Sequence, residues 1–283
     1  AIAQEDANRS APDLRDGSNV LPNAGFEQNA DADSLPDAWG GGDWKTGSTI
    51  AHDTSVAHTG NASVRIECDN DRQRGSYSFR PRVTPGPWIF ETWYRTEKME
   101  AEPKKGPVAR LIAVDDQGQQ CAVVHVYGEP TEGQWRQLSH SFELPERAKQ
   151  IHLDLFNFFA PGTVWWDDVA LRFDLAEQQR REEHRRLEAE RAEKAAGMIN
   201  GIAERVEQLP ADTGQQELKK VVLAWAIEDA QASLDAGRGI SACHVLADVQ
   251  TQLDKPIGQR TEPPRELLAP INDFENNPYA QAL

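Results

Sequence analysis

The sequence predicts a β-sandwich jelly roll followed by a C-terminal α-helical region of three helices. Three observations carry that expectation: where the aromatic residues fall, where the prolines fall, and a change of hydrophobic period near residue 174. Of 21 aromatic residues, 18 lie between Phe26 and Phe173, and 11 of the 17 prolines precede residue 174. Between Phe173 and Lys255 only Pro210 interrupts, so a turn-rich, ring-rich half precedes a helical one.

In the first half, short runs of alternating apolar and polar residues recur between turn signals, as two packed antiparallel sheets require. The expected strands cover residues 63–68, 76–80, 88–96, 108–114, 121–127, 134–144, 150–156 and 163–173. Breaks fall at Thr84-Pro85-Gly86-Pro87, Asp115-Asp116-Gln117-Gly118, Pro130 to Gly133 and Pro161-Gly162. About eight strands without an intervening helical pattern give a jelly roll.

From residue 174 to 209 the period lengthens to that of one long helix, supported by Glu177–Arg181, Glu182–Arg186 and Glu190–Lys194 at i,i+4. Its apolar stripe, Ala195, Ile199, Ile202, Val206 and Leu209, occupies only the rear, so residues 174–190 are expected to be solvated. A turn over 210–214 leads to a second helix, 215–236, with Trp225 expected inside a bundle. Ala236-Gly237-Arg238-Gly239 ends that helix, and a third runs to about Asp254. The expected organisation is a flexible segment 1–18, a sandwich 19–173, a helical bundle 174–255 and an extended, proline-rich tail 256–283.

Thirty Lys+Arg against 46 Asp+Glu leave a net charge of −16 and a pI near 4.9, which argues against nucleic acid and anionic membranes as partners. No run approaches the apolar length of a transmembrane segment. Ala1-Ile2-Ala3-Gln4 resembles the end of a secretory signal, so the protein is expected to be secreted, periplasmic or at the cell surface. Cys68, Cys121 and Cys243 match no metal spacing; a Cys68–Cys121 disulfide and three separate thiols both stay open.

The β half carries a resemblance. Asn23-Ala24-Gly25-Phe26-Glu27, Pro36-Asp37-Ala38-Trp39 and His58-Thr59-Gly60-Asn61-Ala62-Ser63-Val64 resemble the opening of bacterial carbohydrate-binding modules of the xylanase-associated jelly-roll type. Pro85-Gly86-Pro87-Trp88-Ile89-Phe90-Glu91-Thr92-Trp93, Gly133-Gln134-Trp135-Arg136 and Trp166-Asp167-Asp168-Val169-Ala170-Leu171 follow in the family's order. Trp225 to Asp229 and Leu234 to Arg238 look like the helical segment behind such modules in large bacterial polysaccharide-degrading enzymes.

That resemblance implies a structural calcium ion held by Gly25, Glu27, Asn61 and Asp167, joining the first and last β segments. His58 stands where such modules often carry an acidic ligand. The family pattern implies that Trp88, Phe90 and Thr92 face inward, so by alternation Glu91, Trp93 and Arg95 turn outward, as do His125 and Tyr127, and His152 and Asp154, on their own strands. Together these would form a platform where rings take the C–H faces of sugars and polar groups take their hydroxyls.

The expected function is therefore non-catalytic polysaccharide binding, alone or as an accessory region of a polysaccharide-degrading enzyme. A protein-contact module that binds no sugar is one alternative, with partners met through the helical region. A jelly-roll glycosidase or lyase is the other, although only Gln150-Ile151-His152, with Tyr127 as a proton donor, matches a lyase pattern. No other catalytic motif is present.

Overall fold

A computed structural model describes residues 14–100 and 102–255. The expectations for residues 1–4 and for the tail 256–283 lie outside these residues. The chain divides into two compact units, one ending at Arg180 and the other beginning at Arg181.

The first unit is a jelly-roll sandwich of ten strands: β1 (Gly40–Gly42), β2 (Thr49–Asp53), β3 (Ser63–Cys68), β4 (Arg74–Phe79), β5 (Gly86–Glu97), β6 (Gly106–Val114), β7 (Gln120–Tyr127), β8 (Arg136–Leu144), β9 (Gln150–Phe158) and β10 (Gly162–Phe173). They form two antiparallel five-stranded sheets, ordered β1-β4-β9-β6-β7 and β2-β3-β10-β5-β8. Eight strands follow the expected segments. The two additions, β1 and β2, carry no readable alternation, since one is Gly-Gly-Gly and the other only five residues long.

The layers meet along rows that alternation selects. Trp88, Phe90, Thr92 and Tyr94 of β5 are buried, with Leu153 and Leu155 of β9 and Trp166 and Leu171 of β10 in the same core. Two polar atoms taken inside are paired, Trp88 Nε1 donating to the Thr84 carbonyl at 2.8 Å and Thr92 Oγ1 to the Asp167 carbonyl at 3.0 Å, whereas Nε1 of the buried Trp166 has no partner among the described residues. Asn19 Nδ2 donates to the Val169 carbonyl at 2.9 Å, which ties the start of the domain to its last strand. All three cysteines are free thiols, and burial pushes the Cys68 thiol up to about 12.

The helices are α1 (Leu175–Glu207), α2 (Gly214–Asp235) and α3 (Gly239–Leu253). Thr213 and Gln216 form a capping box at the start of α2: Gln216 N–H donates to Thr213 Oγ1, and Thr213 N–H to Gln216 Oε1. Ala195, Ile199, Ile202 and Val206 of α1 share a core with Leu223 and Ala230 of α2 and Ala242, Leu246 and Val249 of α3. Gly239 lies so close to the Glu188–Ala192 backbone that no Cβ fits.

One expectation for this unit is corrected: Trp225 is 65% exposed and lies on the surface with Leu218, Val221 and Val222. α2 carries two adjacent apolar faces, and packing uses the one holding Leu223, Ala230 and Ser233. The small side chains at 230 and 233 let a neighbouring backbone come near, which an indole would prevent.

Candidate functional site

The outer face of the first sheet is a grid that the strand registers fix. One row crosses Ser76, Phe156, Val108 and Tyr127, the next Ser78, Asp154, Arg110 and His125, and a third His152, Ile112 and Val123. Tyr127 is 41% exposed, and His125 is also open to solvent. Over the β4–β9 side of this grid a cleft of about 510 Å³ opens, within the range of small-ligand sites. Its lining includes Trp44, Lys45, Arg80, Arg110, His152 and Asp154.

Trp44 comes from a turn that links β1 to β2. Thr46 N–H donates to the Asp43 carbonyl at 3.0 Å, and both central residues, Trp44 and Lys45, have positive φ, 52° and 57°. Turns with two central residues at positive φ ordinarily carry Asn or Gly there, so two bulky residues hold conformational strain. The surroundings fix it: Thr46 Oγ1 donates to the Arg74 carbonyl at 2.9 Å and accepts from Arg74 N–H at 2.9 Å. Trp44 Nε1 donates to Ser76 Oγ at 2.8 Å, its ring lies 5.8 Å from that of Phe156, and the Arg74 guanidinium sits 4.6 Å from its centroid. The indole nevertheless stays 44% exposed over the cleft.

Beneath it, Arg110 donates from Nε and Nη2 to one oxygen of Asp154, at 3.1 and 2.8 Å, and packs over the Phe156 ring at 4.9 Å. Burial, and then the nearby Arg80, hold the His152 ring below the ordinary imidazole pKa. Burial and Arg110 do the same to His125. Both rings therefore enter the grid as neutral groups, each with a donor and an acceptor nitrogen.

The seven expected ligand residues do not form one platform. His125, Tyr127, His152 and Asp154 share the grid of the first sheet, whereas Glu91, Trp93 and Arg95 lie on the outer face of the second. The reason is strand order: β5 pairs with β8 and β10, not with β7 or β9. Neighbours also take these three up. Glu91 pairs with Arg172 and Arg95 with Glu97, while Trp93 stacks on the His58 ring at 4.0 Å, with Trp135 edge-on to that ring. Sequence reasoning missed Trp44 and Lys45 because nothing in it says which strand a loop overhangs, and Arg80 and Arg110 because it does not show that β4 and β6 flank β9. The available signal was an indole in a Gly- and Asp-rich loop.

The four expected calcium ligands lie along one seam. Glu27 accepts N–H bonds from Asn61 and Ala62 at 3.0 to 3.2 Å, and Gly60, at φ 66°, leaves room for that carboxylate. Asp167 is fully buried and accepts from the N–H groups of His58, Thr59 and Asp168 at 2.7, 3.2 and 2.7 Å. Burial chiefly pushes its carboxyl up to about 6, and the adjacent Asp168 adds to this. A Cβ on Gly25 would lie 3.6 Å from Asp168 Oδ1 and 3.9 Å from Asp167 Oδ1. Among the described residues, no three His, Cys, Asp or Glu side chains form a metal-holding group. The donors are nonetheless oxygens, the chemistry calcium takes, and a cation would relieve the buried Asp167. Glu27 and Asp167 would hold such an ion through their carboxylate oxygens, which backbone N–H groups occupy in this structure.

No family model matches the chain, and no curated protein matches it. Solved structures do. The enzymatically active domain of bacteriophage CBA120 tailspike protein 4 aligns with a TM-score of 0.45 at 11% identity, over 55% of this chain but only 21% of the tailspike chain. The CBM22-1 xylan-binding domain of Paenibacillus barcinonensis Xyn10C aligns with a TM-score of 0.41 at 12% identity, covering 56% of this chain and 96% of that one. TmCBM61 in complex with beta-1,4-galactotriose aligns with a TM-score of 0.37 at 20% identity, covering 56% and 99%. The solved structures similar to the sandwich are mostly carbohydrate-binding modules.

Proposed function

We propose that the first unit is a non-catalytic glycan-binding module whose site is the outer face of the first sheet beneath the Asp43–Thr46 turn. The observation that carries this reading is Trp44: a half-exposed indole held over an open cleft by a strained, heavily hydrogen-bonded turn. An indole face suits the C–H face of a pyranose, and Asp154, Arg110, His152 and His125 beside it offer the forked donors and acceptors that hydroxyls need. On this reading the ligand is a polysaccharide and the protein works outside the cytoplasm, secreted, periplasmic or at the cell surface.

Two features support binding without catalysis. The cleft carboxylates are committed, Asp154 to Arg110 and Asp43 to the N–H groups of its own turn. Tyr127 and His152, the pair a lyase would use, stand opposite β6 residues 108 and 112, four positions or roughly 13 Å apart along the strand. Calcium belongs to the proposal as a structural ion at the Gly25, Glu27, Asn61 and Asp167 seam. A second reading, protein partners met through the helical unit, is favoured by the exposed face of Leu218, Val221, Val222 and Trp225.

Native affinity electrophoresis of the whole chain against a panel of soluble polysaccharides tests the main reading. Retardation by at least one glycan, weakened in Trp44→Ala, is the expected result. Free migration through every gel would refute it.

A further inference from the structure

We propose that this cleft selects acidic glycans, chains bearing a uronate carboxylate, and that Lys45 and Arg80 receive that group. The inference rests on the glycan-binding reading and adds the class of sugar. It starts from a contrast: the chain carries a net charge of −16, yet the charge left open in the cleft is positive.

The lining holds five fixed charges, Asp43, Lys45, Arg80, Arg110 and Asp154. Two cancel each other, and a third, Asp43, keeps its charge but is held in its own turn, so the lining carries one net positive charge. Asp43 accepts from Lys45 N–H at 2.9 Å and from Gly47 N–H at 3.4 Å, so its carboxylate is turned into its own turn. Asp154, 8% exposed, is bound to Arg110, and each neutralises the other. Lys45 and Arg80 are exposed, and neither side chain makes an ion pair or hydrogen bond among the described residues. They flank the cleft from β1–β2 and from the end of β4, with the neutral His152 beside Arg80.

The turn sets where Lys45 stands. Lys45 sits at φ 57°, a conformation in which an L residue with a long side chain is rare and in which glycine would be free of strain. Lys45 lines the cleft beside Trp44. A sugar stacked on Trp44 would thus meet a point charge on one side, while the Arg80 guanidinium supplies the planar fork that matches a carboxylate. A neutral glycan could use the indole and the Arg110–Asp154 pair but would leave both cations without a partner.

Isothermal titration of the whole chain tests this, with polygalacturonate and alginate, the carboxyl-reduced form of each, and dextran sulfate. The expected result is at least one uronate polymer bound roughly tenfold more tightly than its reduced form, an advantage that added salt erodes. Lys45→Gln combined with Arg80→Gln should abolish that advantage and leave affinity for the reduced polymer unchanged. Lys45→Gly should lower uronate affinity while raising the melting temperature, which separates loss of charge from loss of fold. Equal binding of a uronate polymer and its reduced form, or binding only of neutral glycans from the wider panel, overturns the selectivity and leaves glycan binding standing. Equal capture of dextran sulfate by the same two residues overturns the carboxylate assignment. Binding of nothing at all overturns both readings.

Discussion

Replacing Trp44 by alanine separates the two faces of the sandwich more sharply than any other single change. The ring is only about half buried, so its loss should remove about half of the roughly 3–5 kcal/mol that a fully buried aromatic contributes. The Nε1–Ser76 hydrogen bond adds about 1 kcal/mol, and the Arg74 contact roughly 0.5 kcal/mol. Alanine at φ 52° keeps the backbone strain, so no relief offsets the loss. The total, about 3–4 kcal/mol, is less than the stability of an ordinary domain, and the variant should stay folded. Losing the stacking surface should cost the glycan about 1 kcal/mol, some fivefold in Kd. Trp93→Ala is the control: that ring packs under His58 on the other sheet, so it should cost stability and leave glycan affinity within error. Titration calorimetry on any glycan the wild type binds, with urea melts of each variant, reads both quantities. Undiminished affinity in a folded Trp44→Ala protein, together with a loss in Trp93→Ala, would mean that the site lies on the second sheet.

Three shorter expectations follow. If calcium joins the seam, a chelator should lower the melting temperature, and Glu27→Ala and Asp167→Ala should each remove that sensitivity; identical melts of a protein shown to be metal-free would refute it. Trp225→Ala should shift stability by no more than about 0.5 kcal/mol, because the indole is on the surface; loss of helical circular dichroism would put it back in a core. For His152 and His125 the folded state holds the pKa below the free value near 6.5, so the stability they confer is full above that value. It should decline as the pH falls from about 6.5 through the folded values, and His152→Gln should make that decline shallower in melts taken at steps of pH.

What could be read from the chain depended on how local the deciding interaction was. Alternation along β5 is local, so once the resemblance sets Trp88, Phe90 and Thr92 inward it puts their neighbours Glu91, Trp93 and Arg95 on the opposite face, as the burial pattern has them. A sandwich has two surfaces, however, and parity does not say which one a strand faces. That choice lies in pairings between distant segments, such as β9 between β4 and β6, or β10 between β3 and β5. Sequence reasoning therefore puts Glu91, Trp93 and Arg95 beside His125, Tyr127, His152 and Asp154, although both sheets and the core between them separate the two groups. The same non-locality hid Trp44, whose position over Phe156 follows from β1 pairing with β4 and β4 with β9. In α2 the difficulty was degeneracy rather than distance. The sequence displays two apolar faces, and only the fit of Ala230 and Ser233 against a neighbouring helix selects the one that is buried. Residues that act through their own strand's parity are thus open to sequence reasoning, whereas a site assembled across strands becomes visible only once sheet order is known. In this protein the cleft is of the second kind, since its indole, its cations and its carboxylate come from the β1–β2 turn and from β4, β6 and β9.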